Sequence, residues 1–514
     1  MSNDFPWLTL LGLIPLVGAL VIALLPAKSV ALVRPIALGI SLVTLGFGVV
    51  AATQFAWDGG DQKYQFTETH AWIPQFGVSY ALGVDGIALA LILMSLVLVP
   101  ICLLAAWDDV ESDSDNAGRL KLYFALMLIL ETFMIGVFAA RDVFLFYVFF
   151  EAMLIPVYFL IGMFGGARRQ YAAVKFLLFS LAGGLIMLVA VIGLYLNGPR
   201  GGDGFLVDTL AGTDFGGAEK WLFIGFFFAF AVKAPMVGVH TWLPDAAAAA
   251  RPATSTLLVG VLDKVGTYGM IRFCLELFPG ASQWATPFVI TLAVISILYA
   301  AIVAIGQDDM MRLIAYTSIS HFGFIVLGIF ALTSTSQVGS NLYMINHGFT
   351  TAALFLFGGM LVARRGSSKI SDFGGWQRVT PVLAGFFLIA GLSALALPGL
   401  NSFVSEFLVM VGSFGKYKVA TIIAVFGVVL AALYVLLMYK KVATGPKPLD
   451  QDHVLDVSLR EKLVAAPLIA IFLFLGFYPK PALDLLGPAV DATLQQVGVT
   501  DPAPEQGVAE GSHK

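Results

Sequence analysis

WLFIGFFFAFAVKAPMVGVHTWLPD, residues 221–245, decides how the chain folds. It opens as a run apolar enough for a ~30 Å hydrocarbon layer. Its middle, however, holds Lys233, with Pro235 two residues on. Proline removes a backbone donor and frees a carbonyl, and lipid offers that carbonyl no partner. A charged amine at membrane depth costs at least ~2.5–3.5 kcal/mol on insertion scales. A span that keeps both features must lean on protein or water for what lipid cannot supply.

The rest of the chain repeats the theme. Of 514 residues, 59% are hydrophobic and 12% charged, and mean hydropathy is +0.89. Soluble domains carry about 25% charged residues, so this composition excludes a water-soluble protein. Apolar segments fall near 5–25, 32–53, 84–106, 120–140, 142–163, 172–196, 221–243, 256–278, 286–305, 313–332, 338–363, 381–412, 417–440 and 460–480. They predict an all-α polytopic membrane protein with about fourteen transmembrane helices. The segment 381–412 is too long for one straight span and carries Leu397-Pro398-Gly399 in its middle, so it reads as a second broken helix. The first 25 residues lack a basic leader region and a cleavage site and read as the first span, not a removable signal.

Lys and Arg gather in the odd-numbered gaps between these helices, among them Arg34, Arg168, Arg251, Arg312, Arg364 and Lys440. The positive-inside rule then makes those gaps cytoplasmic and puts both termini outside. Residues 54–83 form an external loop in which 76–80 alternates and suggests a strand or hairpin. LLFSLAGG (177–184) resembles AALFLFGG (352–359), and each is followed one helix later by a proline-broken span. Five helices separate the pair, so the reading is of two inverted five-helix repeats, helices 4–8 and 9–13. The domains that follow are 1–112, with helices 1–3 and the loop 54–83; 113–280, the first repeat; 281–442, the second; and 443–514, the last helix with a flexible external tail from about 485.

The buried ionisable residues carry the function. Glu151 sits mid-helix after a run of aromatics; it is either a neutral acid that locks packing or a group that carries charge. Glu131, one helix earlier, is a possible second acid. A lysine at the position of Lys233 can lose its proton when desolvated and regain it beside a carboxylate, so moving Glu151 relative to Lys233 would switch proton affinity. A static ion pair is the alternative. Lys264 lies inside the eighth span, and Asp263 points about 100° away from it around the helix. Arg272, nearer the far end, reads as structural and able to snorkel. Histidine suits proton relay, and His321 and His347 lie inside the tenth and eleventh helices; each could equally bridge two helices as a neutral group. His240, at the end of the first broken helix, could cap, pack or relay. Lys175 either snorkels or takes part. Glu406 follows the second break, as a proton site or a half-helix cap. The series Glu151, Lys233, Lys264, His321, His347 and Glu406 suggests a lateral hydrophilic axis through the membrane centre.

No metal is expected, since the histidines lack a ligand spacing such as HExxH. Cys102 and Cys274 alone cannot hold an iron–sulfur cluster. No dinucleotide fingerprint or phosphate loop is present. No cofactor is therefore expected in this chain, and no basic cluster points to nucleic acid.

The strings HAWIPQFGVSYALGVDG (70–86), FEAMLIPVYFLIG (150–162), KAPMVGVHTWLPDAAAAA (233–250), DKVGTYGMIRF (263–273), AYTSISHFGF (315–324) and LPGLNSFVSEF (397–407) resemble the antiporter-like membrane subunits of respiratory complex I. The resemblance runs over nearly the whole chain. It is closest to the M type, subunit 4 in mitochondria, because Glu406 stands where the L and N types have lysine and no long lateral helix follows the last span. It implies a proton-translocating subunit of NADH:quinone oxidoreductase in a bacterial cytoplasmic (inner) membrane, beside L-type and N-type neighbours, with redox chemistry in other subunits. It also implies that Glu151 and Lys233 match the family's ion pair, Lys264 the central relay lysine, His321 and His347 the connecting histidines, and Glu406 the terminal proton site. Asp263 departs from the pattern, since many relatives have an apolar residue there. The rival readings are a subunit of a multi-subunit sodium/proton antiporter or membrane-bound hydrogenase, a non-transporting scaffold, and a carrier of an organic solute.

Overall fold

The computed structural model describes residues 5–57, 60, 63–110, 117–447 and 453–501. Ten of its helices are long and apolar enough to cross a membrane, or eleven if the bent pair Leu459–Phe477 and Lys480–Val497 is counted as one span. The other expected spans form in pieces. The segment predicted at 221–243 is Glu219–Lys233 and Trp242–Ala249, and that predicted at 381–412 is Pro381–Ala394 and Asn401–Phe414. The eighth, expected as a plain helix, runs over 252–275 and contains two π-helical stretches, Leu258–Leu262 and Met270–Leu275.

Burial sorts the spans by role. Met310–Phe330 and Ser334–Arg365 are the two least hydropathic, and 94% and 89% of their apolar windows are buried. Lys418–Ala443 is far more apolar, yet only 33% of its window is buried. Its exposed Val419, Phe426 and Val429 suit lipid, whereas the two polar-rich helices can exist only where protein surrounds them.

Proline sets one kink beside a site residue. Pro156 has no N–H for the Ala152 carbonyl, so the span Val143–Phe164 is divided at Met153 into Val143–Ala152 and Leu154–Phe164. Glu151 therefore lies next to a kink and not in the middle of an unbroken helix.

The loop between the second and third spans folds as expected into an antiparallel hairpin, β1 Gln65–Ile73 and β2 Val78–Val84. Gly77 turns it with φ +70, and a side chain there would meet the Gly201 carbonyl. From β1, the Glu68 carboxylate accepts the N–H groups of Leu8 (2.8 Å) and Thr9 (3.2 Å). It thereby satisfies donors that the start of helix Trp7–Leu24 leaves open.

Two expectations are corrected here. The tail expected to be flexible from about 485 is, through Val497, part of the helix Lys480–Val497; residues 502–514 lie outside those described. Its Pro and Gly content masked a helical stripe of Leu485, Leu486, Ala489, Val490, Leu494 and Val497, all buried. The helix packs on Gly86–Ala105 and Ser334–Arg365. Arg272 does not snorkel. It is 1% exposed and paired with Asp85 and with Glu276 (2.9 Å), and it donates to the Tyr64 hydroxyl at 3.2 Å. Lys63 adds a second cation to Glu276 at 2.8 Å, and Thr493 of the last helix donates to the same carboxylate. A guanidinium with two buried carboxylates around it has no need of water.

Candidate functional site: a row of buried ionisable groups

The first broken helix ends its first half on Lys233. The backbone groups freed by the break find partners inside the protein. The Val232 carbonyl accepts the Trp242 indole N–H at 3.0 Å, the Ala231 carbonyl accepts Met236 N–H, and Val237 N–H reaches the Ser296 hydroxyl at 3.0 Å. Gly238 takes φ +98, which closes the turn.

Lys233 is 1% exposed, and its Nζ faces the rings of Phe150 (5.1 Å) and Phe176 (5.7 Å). Among the described residues it makes no hydrogen bond, and no ion pair within 4.0 Å joins it to Glu151. The two still feel each other's charge, and Asp263 acts on Lys233 as well. Glu151 lies against Gly184, where a Cβ would sit 1.7 Å from its Oε1. The paired glycines noticed in the sequence are thus spaces: Gly184 for the acid, Gly183 for Val232, and Gly359 for Pro252.

The second half is a connected row. The Lys264 amine donates to the Val259 carbonyl of the first π stretch (2.7 Å) and bonds to His347 Nδ1 (2.6 Å). His347 Nε2 is within reach of the Ser318 (3.0 Å) and Thr351 (3.1 Å) hydroxyls. The His321 ring lies 5.5 Å from that of His347, centroid to centroid. His321 Nδ1 bonds to the Tyr343 hydroxyl at 2.5 Å, and Tyr434 approaches its Nε2 at 3.4 Å. Tyr343 and Tyr434 both lie in the electrostatic reach of Glu406. A cavity of about 10 Å³ lies beside His321, Tyr343 and His347, about the volume that holds one water. Glu406 is 2% exposed and faces these tyrosines, and the side chain expected as a possible half-helix cap caps nothing. The second break is clamped instead by Asn401, which accepts the Ser393 hydroxyl (2.6 Å) and donates to the Asn346 carbonyl (3.2 Å).

Three candidates stand apart. Glu131 is fully buried, both its oxygens lack partners among the described residues, and no other charge acts on it. It is not brought to the row. Lys175 does not join the row: it pairs with Asp245 at 2.7 Å, and Arg312 holds the same carboxylate from the other side. His240 packs against the rings of Tyr299 and Tyr316, and among the described residues neither of its nitrogens has a hydrogen bond.

The structure also adds members that the sequence reading passed over. Tyr343 stands one helical turn before His347 on one face of the same helix, a spacing that could have revealed it. Tyr434, Ser318 and Thr351 gave no signal, because neutral hydroxyls inside apolar helices are ordinary packing.

Fold and site together define a class: a polytopic membrane protein with two interrupted helices and a buried row of amines, imidazoles and carboxylates. Residues 140–431 match the family model described as NADH:quinone oxidoreductase/Mrp antiporter, transmembrane, and the chain belongs to that family. It is 49% identical to NADH-quinone oxidoreductase subunit M of Mycobacterium tuberculosis, over 98% of this chain and 96% of that one. Among solved structures it is similar to a chain of respiratory complex I from Thermus thermophilus, with TM-score 0.85 and 30% identity over 96% of this chain and 100% of that one. It shares the fold of a chain of the Mrp complex from Dietzia sp., with TM-score 0.82 and 21% identity over 95% and 98%.

Proposed function

We propose that this chain is the M-type membrane subunit of proton-translocating NADH:quinone oxidoreductase and carries protons along the buried row. The observation that carries this reading is the hydrogen bond from Lys264 to His347, with the His321 ring beside it, Tyr343 bonded to His321 and Glu406 in electrostatic reach of that tyrosine. Each member can hold or pass a proton, and a chain of such groups is what transfer between distant points requires. Likeness to subunit M of Mycobacterium tuberculosis and to complex I of Thermus thermophilus supports it.

In this reading Glu151 and Lys233 form the switch. No bond holds them together, so a small displacement changes their interaction without breaking contacts. A nearby carboxylate favours the charged ammonium, and its withdrawal favours release of the proton. Lys264, His347 and His321 relay the proton, and Glu406 ends the row. Redox chemistry is supplied by other subunits, which drive this one through the membrane arm. L-type and N-type neighbours flank it in a bacterial cytoplasmic membrane, with both termini outside. The shared fold with the Mrp complex makes a sodium/proton antiporter subunit the second reading.

The test is NADH-driven proton pumping in inverted membrane vesicles carrying Lys233→Ala, with quinone reduction recorded in parallel. Pumping should fall by about 100-fold, the lower end of what a positioned acid–base group contributes, in an assembled complex. Normal pumping and reduction would make the lysine structural and the mechanism wrong. Absence of any NADH-linked activity that depends on the chain would transfer the argument to the antiporter reading.

A further inference from the structure

Asp263 is buried with 0% exposure, and among the described residues neither of its carboxylate oxygens has a hydrogen-bond partner. Burying a carboxylate this way is costly unless it is protonated or hydrated. The packing fixes where it faces. Gly266 meets the first broken helix backbone to backbone, since a Cβ there would lie 2.5 Å from Ala234 N and 2.6 Å from the Phe230 carbonyl. Residues 263 and 266 lie in one α-helical stretch, Asp263–Gly269, three apart and therefore on one face. That face turns Asp263 toward the end of helix Glu219–Lys233. Lys264, about 100° further round, bonds to His347 on the opposite side. Adjacent residues thus address the two halves of the site. The charge of Asp263 acts on both Lys233 and Lys264, and no hydrogen-bonded connection between those amines exists among the described residues.

We propose that Asp263 carries the proton between Lys233 and Lys264 and so joins the two halves of the row. This rests on the proton-path reading above. The step balances simply. The Lys233 ammonium gives its proton to the Asp263 carboxylate, leaving an amine and a carboxylic acid. The acid gives the proton to the Lys264 amine, leaving a carboxylate and an ammonium. No electron moves, and the net charge of the three groups stays the same. Since among the described residues no hydrogen bond joins the carboxylate to either amine, each transfer requires bridging water.

The experiment compares Asp263→Asn, Asp263→Leu and Asp263→Glu in the assembled complex, beside Lys233→Ala. Asparagine keeps the shape and cannot bind the proton. Its pumping should fall about 100-fold, and Asp263→Glu should restore most of it. Infrared difference spectra under NADH turnover should show a carboxylic-acid C=O band that disappears in Asp263→Asn. If Asp263→Asn and Asp263→Leu pump like the native chain while Lys233→Ala does not, the bridge is refuted and the wider path survives. If Asp263→Asn loses pumping but the infrared band persists and Asp263→Glu restores nothing, the residue positions its neighbours without carrying the proton, and the proposal fails. If Lys233→Ala itself pumps normally, the path falls and the bridge with it.

Discussion

Lys264→Met should leave the complex assembled and abolish proton transfer through its centre, with a loss of about 10²- to 10⁴-fold, the range set by a positioned acid–base group. Assembly is expected because the Lys264 side chain makes only two hydrogen bonds, to the Val259 carbonyl and His347 Nδ1, and methionine fills nearly the same volume. Removing one partner leaves the Val259 carbonyl and His347 Nδ1 unsatisfied, at a cost of about 1–3 kcal/mol each. A structural lysine would therefore cost some complex and leave pumping by the surviving complex unchanged. A relay lysine would not, because His347 would lose the amine that, among the described residues, is bonded to it. The measurements are proton uptake, quinone reduction and the amount of intact complex on a native gel. A normal proton-to-electron ratio in the Lys264→Met complex would remove the lysine from the path.

The second large effect is on the fold. Arg272→Met should destabilise the chain by about 3–5 kcal/mol, the cost of breaking a buried pair and leaving its partners charged. Asp85 and Glu276, 3% and 0% exposed, would then depend on Lys63, which reaches only Glu276. Asp85 also holds the Ala88 N–H at the start of helix Gly86–Ala105 (2.9 Å), and Glu276 holds Thr493 of the last helix, so the damage spreads to both. Adding Asp85→Asn to Arg272→Met should recover part of the loss, because one uncompensated charge disappears. The readout is thermal melting of the purified complex. A melting point unchanged in Arg272→Met, or a double variant less stable than the two single effects added together, would mean that the cluster does not hold this end of the bundle. Native pumping by whatever complex survives would separate this structural role from the row.

Much of the site was open to sequence reading because burial cost is local. Lys233, Lys264, Glu151 and Glu406 announce themselves as charges in apolar runs, and Pro235 and Pro398 as breaks. The same local rule does not tell these apart from Glu131 and Lys175. Glu131 obeys every criterion of a buried acid and meets no other charge. Lys175, read as snorkelling or taking part, pairs with Asp245, 70 residues away. Nothing within a single helix separates these from the members of the row.

The sequence by itself determined that the chain lies in a membrane, that two of its helices are interrupted, and which side chains are too costly to bury without a partner. Each follows from the composition of about twenty consecutive residues against the hydrocarbon layer. Tertiary structure decided who meets whom. Lys264 finds His347 across 83 residues, Tyr343 joins through His321, and the helix of Asp263 meets that of Lys233 backbone to backbone at Gly266. It also turned an expected loose tail into a helix that bonds to Glu276. Such contacts depend on which faces of distant helices come together, and side-chain packing sets that at a range no local pattern records.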